Sequence, residues 1–149
     1  MTTSSESSGP SDPPESPEAV VRALLDHLAA HDVDAARALL ADDVEWRNSG
    51  LPTMHGARAH DTLRDLVGRG ITFEVRFHHV AVDRDVVLTD RTVVLGYAGW
   101  TSEFRVRGSF EVHAGKVTVW DDSFSWLEAA GSGLGSLASV GLGLLRRAR

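Results

Sequence analysis

Asp122 and Arg91 are the two side chains whose types and placement most readily do chemistry. In Gly115–Ser125, GKVTVWDDSFS, side chains alternate with a period of two. Trp120, Asp122 and Phe124 therefore share a face, and a carboxylate stands between two aromatics. In Leu88–Tyr97, LTDRTVVLGY, the same alternation puts Thr89, Arg91, Val93 and Leu95 on one face. The two stretches are read as partner strands. If these faces meet inside one core, the carboxylate and the guanidinium are buried charges that need each other, because an unpaired buried charge is far too costly. Such a pair suits a general base with its orienting cation. It suits a structural ion pair within a sheet equally, and spacing alone leaves both readings open.

Around this pair stand further candidates. Asn48 is in phase with Val44 and Trp46 in the short alternating run Val44–Asn48, a polar amide beside an aromatic, and can cap the turn at Gly50-Leu51-Pro52. Trp46, Trp120 and Phe124 read as core or pocket wall rather than chemistry. The seven histidines scatter over helices, loops and strands. Their one helical i, i+4 pair, His27 and His31, lacks the adjacent Glu of a zinc-protease motif, so no metal is implied. Of His78 and His79, on successive strand positions, only one should face inward. Ser123 and Ser125 have no in-phase His and acid partners, which argues against a serine nucleophile.

The elements that must position these residues follow in chain order. Residues 1–16, MTTSSESSGPSDPPES, hold almost nothing apolar and read as a disordered leader. Ser16-Pro17-Glu18 is a helix start, with a capping Ser and Pro at the first helical position. Val20, Val21, Leu24, Leu25 and Leu28 then follow at helical spacing to about His31. Asp32 or Asp34 caps a second short helix whose stripe is Ala35, Ala36, Leu39 and Leu40, ending near Asp42-Asp43. A third helix carries Ala59, Leu63, Leu66 and Val67 and closes at Gly68 and Gly70. From Ile71 the chain is almost all strand: 71–82, 86–97, 102–113 and 116–125, joined by short turns that favour antiparallel neighbours. Helices first and a strand meander after imply an α+β domain over 17–130, one curved antiparallel sheet with helices over one face. The Gly- and Leu-rich tail, 131–149, reads as a weak helix that covers a pocket or packs on a partner.

Composition excludes several classes. A net charge of −6 over 149 residues argues against a nucleic-acid surface, which needs a basic field. With no cysteine, disulfides and thiol nucleophiles are ruled out. No signal-like segment or apolar run of roughly 18 residues is present, so a soluble cytoplasmic protein without a membrane partner is expected.

The strings LADDVEWRNSGLPTMHG, VLTDRTVVL and GSFEVHAGKVTVWDDSF, in that order between about Pro17 and Ser125, resemble the limonene-1,2-epoxide hydrolase family. That family lies within the cone-shaped group that includes nuclear transport factor 2 and small polyketide cyclases. The resemblance implies a cone with helices on its concave side, an apolar pocket, no cofactor, a small apolar ligand and a homodimer. It implies that Asp122 is the general base, Arg91 the arginine that bridges two acids, and Asn48 the amide that grips the hydrolytic water. Trp46, Val93, Leu95, Val106 and Phe124 would line the pocket.

Two positions depart from the family pattern. Trp46 stands where the family has Tyr, and an indole only donates a hydrogen bond where a phenol also accepts one. Val93 stands where the family has the Asp that protonates the epoxide oxygen, and a positioned acid is worth about 10² to 10⁴ in rate. Ordinary epoxide hydrolysis is therefore expected to be impaired. With one acid left, Arg91 should hold Asp122 ionised and make it a weaker base. Tyr97 lies about 13 Å along the strand from Arg91, too far to replace the acid at the same oxygen. Arg91 itself can hydrogen-bond a developing alkoxide. Two functions follow: an epoxide-opening, cyclising or isomerising enzyme, or a non-catalytic module that binds an apolar ligand in the same cone.

Overall fold

The structure, a computed structural model, describes residues 16–131. Apart from Ser16 and Gly131, the expected leader and tail lie outside the described residues. Helix α1 (Pro17–Ala29) begins as its sequence dictates: the Ser16 side chain accepts a hydrogen bond from the Ala19 N–H at 3.1 Å, and Pro17 takes the first helical position. Helix α2 (Val33–Ala38) is capped by Asp32, which accepts from the Ala35 N–H at 3.1 Å. Strand β1 (Leu40–Asn48), a two-residue strand β2 (Met54–His55) and helix α3 (Ala57–Gly68) follow. The meander is β3 (Thr72–Asp83), β4 (Val86–Tyr97), β5 (Trp100–His113) and β6 (Lys116–Ser123), and helix α4 (Trp126–Gly131) ends the described chain. Its hairpins turn at Arg84-Asp85, Ala98-Gly99 and Ala114-Gly115, where Arg84, Ala98 and Ala114 take positive φ as tight two-residue turns require.

Six strands form one sheet in the order β2-β1-β6-β5-β4-β3. Helix α1 lies across it, and its buried Val20, Val21, Leu24, Leu25 and Leu28 join Val87, Phe110, Val112, Val117 and Trp120 in the main core. A second cluster gathers Ile71, Val93, Phe104, Val106 and Ala129 toward the end of the sheet that α4 covers. The domain is thus α+β, and among the described residues no helix is long and apolar enough to cross a membrane.

Four details correct the expectations. The sheet is mixed, because β1 runs parallel to β6 while every other pair is antiparallel. The strand that carries Asp122 does not neighbour the one that carries Arg91: β5 lies between them. Leu40 belongs to β1, not to a helix. It is spaced four residues from Ala36, as a helix stripe requires, yet pairing with Val117 and the bond from Val117 N–H to Leu39 C=O at 2.8 Å draw this segment into the sheet. Finally, a bulge between Phe77 and His79 leaves both His78 and His79 exposed, where strict alternation turned one inward.

Candidate active site

The site is assembled across three strands. Asp122 on β6 stands in register with Gly108 on β5, and Gly108 with Thr89 on β4; Arg91 is one pleat further along, opposite Val106. Arg91 is 1% exposed and Asp122 8%. The Arg91 Nη2 donates to both Oδ1 and Oδ2 of Asp122 at 2.7 Å, and Nη1 donates to Thr89 Oγ1 at 2.8 Å. The guanidinium also lies over the Phe110 ring, 5.5 Å from its centroid. The two charges therefore reach each other over the intervening strand. Gly108 makes the passage: a Cβ there would collide with Arg91 Nη1 and stand 2.8 Å from Asp122 Oδ1. The alternation of β4 put Thr89 on one face with Arg91 without giving it a role, and Gly108 was given none. A glycine in mid-strand is itself the signal of close approach that was available.

Burial pushes the Asp122 carboxyl above its ordinary pKa, and attraction to Arg91, the hydrogen bonds from Arg91 and the nearby Trp120 N–H offset only part of that rise. This corrects the expectation of a weakened base. Coulombic attraction has the anticipated sign, but desolvation of a carboxylate in this setting is the larger effect. Asp122 is consequently a better proton acceptor than a surface carboxylate.

Asn48 lies on β1 in register with Asp122. It is half-buried. The turn that follows is closed by the Leu51 N–H donating to the Asn48 backbone C=O at 3.1 Å, so the Asn48 side chain is not what caps it. Next in sequence, Ser49 ties β1 to β6: its N–H donates to the Asp122 C=O at 3.1 Å, and its Oγ accepts from the Phe124 N–H at 3.1 Å. The Trp126 indole donates to the Ser49 C=O at 2.6 Å, and the Trp126 ring meets Phe124 edge-on at 4.9 Å. None of this latch was foreseen.

Trp46 and Trp120 pair opposite each other one pleat before Asn48 and Asp122, with rings stacked at 4.9 Å. Val93 (8% exposed) and Val106 (2%) lie in the second apolar cluster, with half-buried Leu95, Tyr97 and Phe124 packed against it. The structure thus brings Val93, Leu95, Val106 and Phe124 together beside Arg91, while Trp46 packs with the main core. A concavity of about 370 Å³, lined by Leu88, Asp90, Arg107, Ser109, Asp121 and Ser123 among others, opens on the opposite face of the sheet. Among the described residues no group of three His, Asp or Glu gathers to hold a metal.

Comparison with known proteins identifies the family. A sequence model of the limonene-1,2-epoxide hydrolase catalytic domain matches residues 15–130. The epoxide hydrolase EphG of Mycobacterium tuberculosis is 39% identical over 105 residues, 70% of each chain. A solved epoxide hydrolase of the limonene-epoxide type from M. tuberculosis superposes with a TM-score of 0.73 at 34% identity, over 83% of this chain and 93% of that one. A polyketide cyclase candidate from Xanthomonas campestris shares the fold at 20% identity, with a TM-score of 0.70 over 78% of this chain and 95% of its own. The chain belongs to the limonene-1,2-epoxide hydrolase family.

Proposed function

We propose that the protein adds water to a small or medium, largely apolar epoxide, with Asp122 as general base. The observation that supports this most directly is the buried grip of Arg91 on Asp122, in register with Asn48. Asp122 takes a proton from a water held by Asn48, the resulting hydroxide attacks an epoxide carbon, and the C–O bond breaks with its electron pair on the oxygen. Arg91 hydrogen-bonds that oxygen as charge develops. The proton on Asp122 then passes to the alkoxide, directly or through water, so one group serves as base and then as acid and the net change is addition of one water. The raised pKa of Asp122 favours the first transfer. Val93, Leu95, Val106 and Phe124 form the apolar wall for the hydrocarbon part. Related ring openings or cyclisations use the same base with a substrate hydroxyl in place of water. The family resemblance further leads us to read the protein as a cytoplasmic homodimer, a state that sedimentation of the purified chain tests.

The test is diol formation from a panel of apolar epoxides, followed by mass spectrometry. Asp122→Asn keeps an acceptor for Arg91 but cannot take the proton, so turnover should fall by about 10² to 10⁴ with the fold retained. In the wild type kcat/KM should fall as pH drops through the Asp122 pKa, since only the ionised form is a base, and that limb should lie above the usual carboxylate range. Unchanged turnover in Asp122→Asn would remove Asp122 from the role. The alternative, a non-catalytic module for an apolar ligand, is favoured by Val93 at the acid's position. It predicts no turnover by the wild type and ligand affinity indifferent to Asp122→Asn.

A further inference from the structure

Three N–H donors around Asp122 are buried without any hydrogen-bond partner: Arg91 Nε, Trp46 Nε1 and Trp120 Nε1. Arg91 and Trp120 are 1% and 4% exposed, so solvent does not serve them. Arg91 commits Nη2 to the carboxylate and Nη1 to Thr89, and Nε is left over. The Trp120 N–H lies close enough to Asp122 to favour its charge, yet it misses hydrogen-bond geometry and has no other partner. Trp46, stacked on Trp120, adds a third donor. Among the acceptors nearby, both Asp122 oxygens are already engaged by Arg91 Nη2 and Thr89 Oγ1 by Nη1, and the amide of Asn48, in register with Asp122, brings two N–H donors along with its one oxygen. The second cluster beside them is built of the apolar Val93, Phe104, Val106 and Ile71, with half-buried Tyr97 packed against it.

Buried donors in folded proteins are almost always paired, and a concentration of unpaired ones marks a place where a bound molecule supplies what is missing. What is missing here is acceptor oxygen. A water does not redress the balance, because it brings as many O–H donors as lone pairs. A plain hydrocarbon epoxide brings one oxygen for three donors. An added carboxylate would place a second anion beside Asp122 with only one buried cation to meet both, which is costly. A neutral carbonyl brings acceptors alone.

Building on the epoxide-opening reading of this site, we propose that its substrates are epoxides that carry a second, uncharged acceptor, a ketone, ester or amide carbonyl, next to the strained ring. The carbonyl is held by the indole N–H groups while Arg91 Nε faces the epoxide oxygen. The replacement of Tyr by Trp at 46 then changes which substrate is held, since an indole can only donate and is matched to an acceptor.

The experiment compares cyclohexene oxide with 2,3-epoxycyclohexanone, the same ring with and without the carbonyl, in the wild type and in Trp46→Phe. The variant keeps a stacked ring and removes the N–H, and the intrinsic reactivity of the two epoxides cancels when their kcat/KM ratio is compared between proteins. The ratio in favour of the ketone should fall by about tenfold in Trp46→Phe, the loss of a well-made hydrogen bond. In parallel, unreactive cyclohexanone and cyclohexene are titrated into ¹⁵N-labelled wild type and the Trp46 and Trp120 indole N–H resonances followed. The ketone should shift them and the hydrocarbon should not. Turnover of both epoxides with an unchanged ratio and unmoved indole resonances would overturn the proposal and leave the hydrolase reading standing. No turnover of either epoxide, with the indole resonances shifted by cyclohexanone, would overturn the hydrolase reading and retain the acceptor site. No turnover and no shift would sink both.

Discussion

Arg91 stands between two surroundings that differ in kind. On one side Asp122, Thr89 and the gap at Gly108 answer its charge with a carboxylate, a hydroxyl and room to reach them. On the other side Val93, Phe104, Val106 and Ala129 present only hydrocarbon. One strand carries both characters within three positions, Thr89, Arg91 and Val93. The comparison shows that a fixed ion pair and a dry wall can share one guanidinium, provided the pair is complete by itself. Of the guanidinium nitrogens, Nη1 and Nη2 are held by Thr89 and Asp122, while Nε has no partner.

The contrast is most strongly tested by erasing it. Val93→Asp puts a second carboxyl two positions along β4 from Arg91, so hydrolysis of plain epoxides should rise by about 10² to 10⁴ and its pH profile should become bell-shaped, because two neighbouring carboxyls cannot both ionise freely. No gain would mean that the dry side is not where the epoxide oxygen binds. The polar side can be emptied from either end, and the two ends are unequal. Asp122→Leu strands a guanidinium that cannot shed its proton and should destabilise by about 3–5 kcal/mol in urea unfolding, whereas Arg91→Leu leaves an acid that can protonate and should cost less. Equal losses would show that the burial of Arg91 is relieved by water. Gly108→Ala should cost about 1–3 kcal/mol by wedging the pair apart, with 2.8 Å left to Asp122 Oδ1 and 2.9 Å to Phe110 Cε2. A neutral result would mean that the strand yields there. The smallest effect belongs to the latch. Trp126→Phe removes the N–H held by the Ser49 C=O and, with Trp126 38% exposed, should cost about 0.5–1 kcal/mol in the same unfolding assay.

Much of this was legible from alternation and capping. The limits of β4, Val86–Tyr97, are those the pattern implied, and Ser16 and Asp32 cap the helices they precede. Asp122 and Arg91 were identified as a pair because buried charges demand partners, a rule that needs no knowledge of strand order. Strand order itself was not legible. Period-two patterning reports which face a residue takes but not which strand lies beside it, so the interposed β5 and the parallel β1–β6 pairing were invisible. Leu40 fitted a helix phase as well as a strand, and tertiary pairing with Val117 decided it. The His78 bulge breaks the alternation on which the reading of its neighbours relied. The sign of the Arg91 effect on Asp122 followed from charge, whereas its magnitude relative to burial required the depth of the site.

The parallel alignment of β1 with β6 has one more consequence, which concerns time rather than energy. The meander from β3 to β6 is built of neighbours in sequence and can zip locally. The contact of Ser49 with Asp122 joins residues 73 apart, on strands made at opposite ends of synthesis. Asn48 therefore leaves the ribosome early and waits for its carboxylate until nearly the whole domain has been translated. Asn48 and Asp122 meet last, so a chain stopped between α3 and β6 contains every described helix except α4 and still lacks the Arg91–Asp122 pair.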